Sequence, residues 1–100
     1  MIQVKFSDDP TKGGFNPNLL LLKWKEISEL KNIKLTGLMT INPKGLNSKE
    51  NSELFKKCRS LADLLHLPDC SMGMSGDWKE AVEAGSTWLR LGSLIFGDRY

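Results

Sequence analysis

Histidine is almost missing from this 100-residue chain: there is one, alongside two cysteines, Cys58 and Cys70. A single histidine and two cysteines without ligand spacing argue against a zinc site. Two thiols are also too few for a disulfide scaffold and suggest a reduced, cytoplasmic setting. No apolar run approaches the roughly 20 residues that cross a bilayer, so no membrane partner is expected. The first residues, Met1 to Phe6, lack the basic start and apolar core of a secretory signal. Neither sign of charge dominates: 8 Lys+Arg face 5 Asp+Glu in the first fifty residues, and 6 face 7 in the last fifty. Without a basic stripe, nucleic acid is not an expected partner. What is present, 40% hydrophobic and 26% charged residues, is the composition of a small globular domain or a piece of a larger one.

The chain alternates strand and helix signals. Ile2, Val4 and Phe6 alternate with Gln3 and Lys5, a period of two that predicts a strand over Ile2–Phe6. After a turn-rich stretch from Asp8 to Gly14, Asn16-Pro17 supplies an N-cap and a proline at the first helical position. The helix it opens is expected from about Pro17 to Leu30, with Leu20, Trp24, Ile27 and Leu30 on one face. Leu35–Ile41 reads as a second strand. Asn47 and Glu50 have capping-box spacing, with Ser48 as the alternative cap. The following helix repeats Leu54, Cys58, Leu61 and Leu65, flanked by Phe55 and Ala62, and Pro68 stops it. Cys70–Met74 is a third strand. Asp77 and Glu80 have capping-box spacing before a short helix that Gly85 ends as a left-handed cap, and Asp77 is read as that cap rather than as a base. Thr87–Phe96 is a fourth strand, interrupted or ended at Gly92.

Four strand–helix units in a row imply an α/β fold with right-handed crossovers onto a parallel sheet. A (β/α)8 barrel needs about 250 residues, so four consecutive βα units make half of one. A flavodoxin-like sheet needs more strands than the chain supplies. Four open strands leave two raw edges, which favours self-association, as a homodimer, or completion by a longer parent.

Ligands of such barrels bind at the C-terminal strand ends, with phosphate favouring the loops after the seventh and eighth strands. If these are the parent's last four strands, the loops are Gly73-Met74-Ser75-Gly76-Asp77 and Gly92-Ser93-Leu94-Ile95. The first leads into a helix N-terminus, and the second exposes backbone N–H groups beside a glycine. Arg90, inside Trp88-Leu89-Arg90-Leu91, points to the side of Trp88 and Gly92. A guanidinium within an apolar strand calls for a carboxylate or a ligand acceptor; the bland alternative is an exposed strand position. Met39, Met72 and Met74 read either as pocket lining or as core filler. Trp24 and Trp78 read as packing helices onto the sheet, and Cys58 and Cys70 as buried.

These residues resemble a known family. The run Ser71 to Trp78, then Glu83-Ala84-Gly85-Ser86-Thr87, Leu89-Arg90-Leu91-Gly92-Ser93 and Ile95-Phe96-Gly97 are similar to the C-terminal signature of the pyridoxal phosphate (PLP) homeostasis proteins, the YggS-like PLP-binding family. Thr36-Gly37-Leu38-Met39-Thr40-Ile41 matches its sixth-strand motif. Gln3-Val4-Lys5-Phe6-Ser7 with Lys12-Gly13-Gly14 is similar to its fifth strand and following loop. The resemblance implies that residues 1–100 are the C-terminal half, strands five to eight, of an alanine-racemase-like (β/α)8 barrel. It implies a small-molecule cofactor, PLP, whose phosphate is held by Ser75, Gly92 and Ser93. It further implies that Arg90 faces the pyridine nitrogen and that Met39 and Gly73 lie among the cofactor contacts.

The implied function is vitamin B6 homeostasis without catalysis. The family's Schiff-base lysine sits on the first barrel strand, upstream of anything here, and Lys5, the only lysine within an expected strand, is a poor replacement. The expectation is therefore a truncated product that binds PLP non-covalently. The alternatives are half of a split racemase-like PLP enzyme completed by an N-terminal half, and a self-associating half-barrel with no ligand.

Overall fold

In the computed structural model the described residues are 1–7, 13–30 and 32–90. They form β1 (Ile2–Gln3), α1 (Pro17–Ser28), β2 (Gly37–Met39), α2 (Ser48–Leu64), β3 (Asp69–Met74), α3 (Trp78–Glu83) and β4 (Trp88–Arg90). All neighbouring strands pair in parallel, in the order β1-β2-β3-β4. The four expected strands and the three helices between them are present among the described residues, with β1 and β2 shorter than expected and β3 one residue longer.

Beyond Gln3 the Val4 amide still donates to the Met39 carbonyl of β2 at 2.8 Å, while Phe15 folds back along the other side of the chain. The Lys5 amide donates to the Phe15 carbonyl at 2.8 Å and the Phe15 amide to the Gln3 carbonyl at 2.9 Å. One of the two edges expected to be raw is therefore covered over Gln3–Lys5 by the protein's own chain. Strand β2 keeps only its middle, Gly37–Met39, of the expected Leu35–Ile41. The part of the fourth strand expected beyond Arg90 lies outside the described residues.

Alternation along the strands divides the sheet into two faces. Leu38, Cys70 and Met72 point to the helix side and are buried with Phe55, Cys58, Ala62 and Ala81. Leu89 packs against the same cluster. The opposite face carries Met39, Ser71, Trp88 and Arg90. Cys58 and Cys70 are free and buried, as expected. Their mutual hydrogen bond, together with burial, pushes the Cys58 thiol far above the usual cysteine value.

Helix ends follow the sequence in three cases and depart from it in two. The Asn16 side chain accepts from the Asn18 amide at 2.8 Å. Asn47, not Ser48, caps α2: its side chain accepts from the Glu50 amide at 2.8 Å, and Glu50 accepts from the Asn47 amide at 3.1 Å. The box expected at Asp77 and Glu80 does not form. The Asp77 carboxylate instead accepts from the Met74 amide at 2.7 Å, closing the turn that leaves β3, and Glu80 accepts from the Ser48 hydroxyl of α2 at 2.9 Å. The end of α2 comes before Pro68. His66 takes a left-handed conformation, φ 59°, with Leu67 donating to Ala62 and His66 to Asp63. That is a Schellman closure built without glycine. Gly85, at φ 101°, ends α3 as expected, and a Cβ there would sit 2.8 Å from Arg59 Cδ.

Candidate functional site

The parallel register between β3 and β4 sets Arg90 opposite Met74. The Ser75 turn, which begins one residue after Met74, therefore lies beside the exit of β4. Between Ser71 and Met74 the register shifts, and two hydroxyls hold the irregularity in place. Ser86 donates within 2.8 Å of the Met72 carbonyl, and Thr87 Oγ1 accepts from the Cys70 amide at 2.9 Å. Gly73, at φ 100°, lets α3 close onto this segment: a Cβ would meet Ala81 at 2.7 Å and Leu89 at 2.9 Å. Its missing side chain serves packing, which leaves only its backbone for a ligand.

Arg90 is half-buried on the open face and lies across the sheet. Nη1 donates to the Ser71 hydroxyl and, at 3.4 Å, to the Ser71 carbonyl, while Nη2 donates to the Thr40 carbonyl at 2.9 Å. One side chain thus joins the residue just past β2, the middle of β3 and the end of β4. Its Nε is buried and has no partner among the described residues. Burial draws the guanidinium below the usual arginine value, and the Asp77 carboxylate opposes that shift. The group stays cationic at neutral pH. The bland alternative, a solvated arginine, does not hold.

The loops after β2 and β3 enclose a hollow of about 370 Å³, lined by Asn42, Lys44, Asn51, Met74, Ser75 and Asp77 among others, with Arg90 not in its lining. Its β2 wall is pinned by buried amides: Asn42 donates to Asn51 Oδ1 at 2.9 Å, and Asn51 donates to the Leu46 carbonyl at 3.4 Å. A larger hollow of about 620 Å³, walled by Phe6, Pro17, Leu61 and Leu64, lies on the helix side and contains none of the candidate residues. Ser75 is half-buried and Met39 is half-buried on β2. Gly92 and Ser93 lie outside the described residues. Trp88 is 59% exposed on the open face. Trp24 packs against the core, and Trp78 is half-buried with the Lys79 ammonium 5.7 Å from its ring centre.

Two expectations change here. Helix α3 has six residues, so the dipole available to an anion at the Ser75 turn is small; a hydroxyl and turn amides are the better donors. Lys5 falls just past β1 rather than within a strand. Sequence reasoning assigned no role to Ser71, Thr40 or Asn51. Asn51 had left a signal, an amide one turn before Phe55 on the apolar stripe of α2. Ser71 had a fainter one, sharing a face with Arg90.

The whole chain, residues 1–100, matches the family model described as alanine racemase, N-terminal domain. Among curated relatives, the PLP homeostasis protein of Synechocystis is 40% identical over 105 residues, covering 99% of this chain and 48% of its own length. That of Aquifex aeolicus is 41% identical, with 99% and 46% covered. Among solved structures, PipY of Synechococcus elongatus without PLP superposes with a TM-score of 0.92 at 40% identity, covering 96% of this chain and 48% of PipY. The form with PLP bound gives 0.90 at 38% identity, with 96% and 47% covered. The chain spans about half the length of the relatives it matches. No helix among the described residues is long and apolar enough to cross a membrane. Four parallel strands, their intervening helices and the full-length match lead to one assignment: the chain belongs to the alanine racemase N-terminal domain family.

Proposed function

We propose that these 100 residues are the C-terminal half, strands five to eight, of a PLP-binding barrel, and that they hold PLP non-covalently in vitamin B6 homeostasis without catalysing a reaction. The observation that carries this reading is Arg90: a half-buried guanidinium whose buried Nε has no acceptor among the described residues. A buried donor left unpaired is destabilising, and a pyridine nitrogen supplies the single lone pair that would satisfy it. PipY, an aligned relative, has been solved with PLP bound, and the relatives' names supply the homeostasis role.

In this reading the Ser75 hydroxyl and the amides of its turn hold the phosphate, with Gly92 and Ser93 included on their sequence resemblance alone. Met39 and the backbone of Gly73 complete the contacts. PLP supplies an electron sink for carbanion chemistry when its ring nitrogen is protonated. Arg90 donates at that nitrogen and cannot accept, so it holds the ring unprotonated, which suits a carrier. A complementing half, or a second copy, would meet the sheet at β4 and near Met1–Ile2, because Phe15 already occupies the edge over Gln3–Lys5.

A calorimetric titration of the full chain with PLP tests the proposal. Saturable binding is expected, weakened most in Arg90→Ala and less in Ser75→Ala. Absence of heat up to millimolar PLP would overturn it.

A further inference from the structure

The family resemblance implies that Arg90 faces the ring, but nothing in the sequence says which of its nitrogens does the work or what aims it. Arginine carries five N–H donors on a long, rotatable stem. A carboxylate or phosphate is gripped best by two parallel N–H groups of the fork. Here both terminal nitrogens are engaged: Nη1 on the Ser71 hydroxyl and carbonyl, Nη2 on the Thr40 carbonyl. Nε is the one guanidinium nitrogen left without a partner among the described residues. What remains on offer suits a single in-plane lone pair better than a two-oxygen anion.

We infer that Ser71 is a positioning residue: its hydroxyl, with the Thr40 carbonyl, clamps the Arg90 fork so that Nε is presented to an unprotonated aromatic nitrogen, making the site selective for that acceptor. The inference rests on the PLP reading above and adds to it the residue that sets ring selectivity. Ser71 is suited to the task. It is 8% exposed, lies on β3 between the two strands Arg90 bridges, and its carbonyl is fixed by the Thr40 amide at 3.1 Å. The carbonyls belong to the sheet and persist in any variant. The hydroxyl is the part of the clamp that a substitution removes.

The test compares PLP with 1-deaza-PLP, in which carbon replaces the ring nitrogen, on the full chain and on Ser71→Ala and Ser71→Thr. The wild type should prefer PLP. Ser71→Ala should lose about tenfold in PLP affinity, the scale of one hydrogen bond to a charged group, while 1-deaza-PLP binding stays unchanged and Ser71→Thr restores the preference. Equal loss for both ligands, or no loss for either, would overturn the inference while leaving the PLP reading intact. If neither ligand binds the wild type, the PLP reading fails, and the clamp is judged in the ligand-free protein by NMR of the Arg90 Nε–H. Slow solvent exchange in the wild type that accelerates in Ser71→Ala supports the clamp, and equal exchange rates overturn it.

Discussion

The two long helices of this chain meet the sheet in different ways. Helix α2 is the more polar of the two, yet it buries Asn51, Phe55, Cys58, Leu61 and Ala62. Helix α1 contains four consecutive leucines and buries only Leu20. At 100° per residue, adjacent leucines cannot share a face: Leu19 and Leu21 fall on opposite flanks, and Leu22 points away, 78% exposed. Spacing, not apolar content, decides what a helix contributes to the core.

Truncation of one residue in each helix is the sharpest way to break that comparison. Phe55→Ala removes a side chain that is 1% exposed and is expected to cost about 3–5 kcal/mol in urea unfolding, enough to threaten a domain of ordinary stability. Leu22→Ala should change stability by less than about 0.5 kcal/mol. Similar losses at the two sites would mean that α1 is packed as tightly as α2.

A smaller effect of opposite sign is expected within the well-packed end itself. His66 closes α2 in the left-handed region, where glycine carries no steric cost. His66→Gly should therefore raise stability by about 0.5–1 kcal/mol, less any gain in unfolded-chain freedom. A loss instead would show that the imidazole makes a contact worth more than the backbone relief.

The order of strands and helices was legible because it is written in local signals: period-two alternation at Ile2–Phe6, Asn16-Pro17, the Asn47–Glu50 box and Gly85. Element ends were not, because they depend on partners distant in sequence. Phe15 returns along the outer edge of β1, and Asp77 fails to cap α3 because the Met74 amide already claims its carboxylate. The centre of the α2 stripe also moved, toward Asn51, Phe55, Cys58 and Ala62, once the sheet behind it was in place. Arg90 could be singled out in advance, since a charge amid Trp88, Leu89 and Leu91 is conspicuous. Its orientation could not, because the groups that hold it, Thr40 and Ser71, lie 50 and 19 residues away.

The central claim is that Arg90 donates to, and never protonates, the ring nitrogen of bound PLP. The 15N chemical shift of ring-labelled PLP on the full chain, at a pH where the free cofactor carries the ring proton, measures this directly. The account predicts the shift of an unprotonated nitrogen accepting a hydrogen bond. A pyridinium shift on the bound cofactor would contradict it.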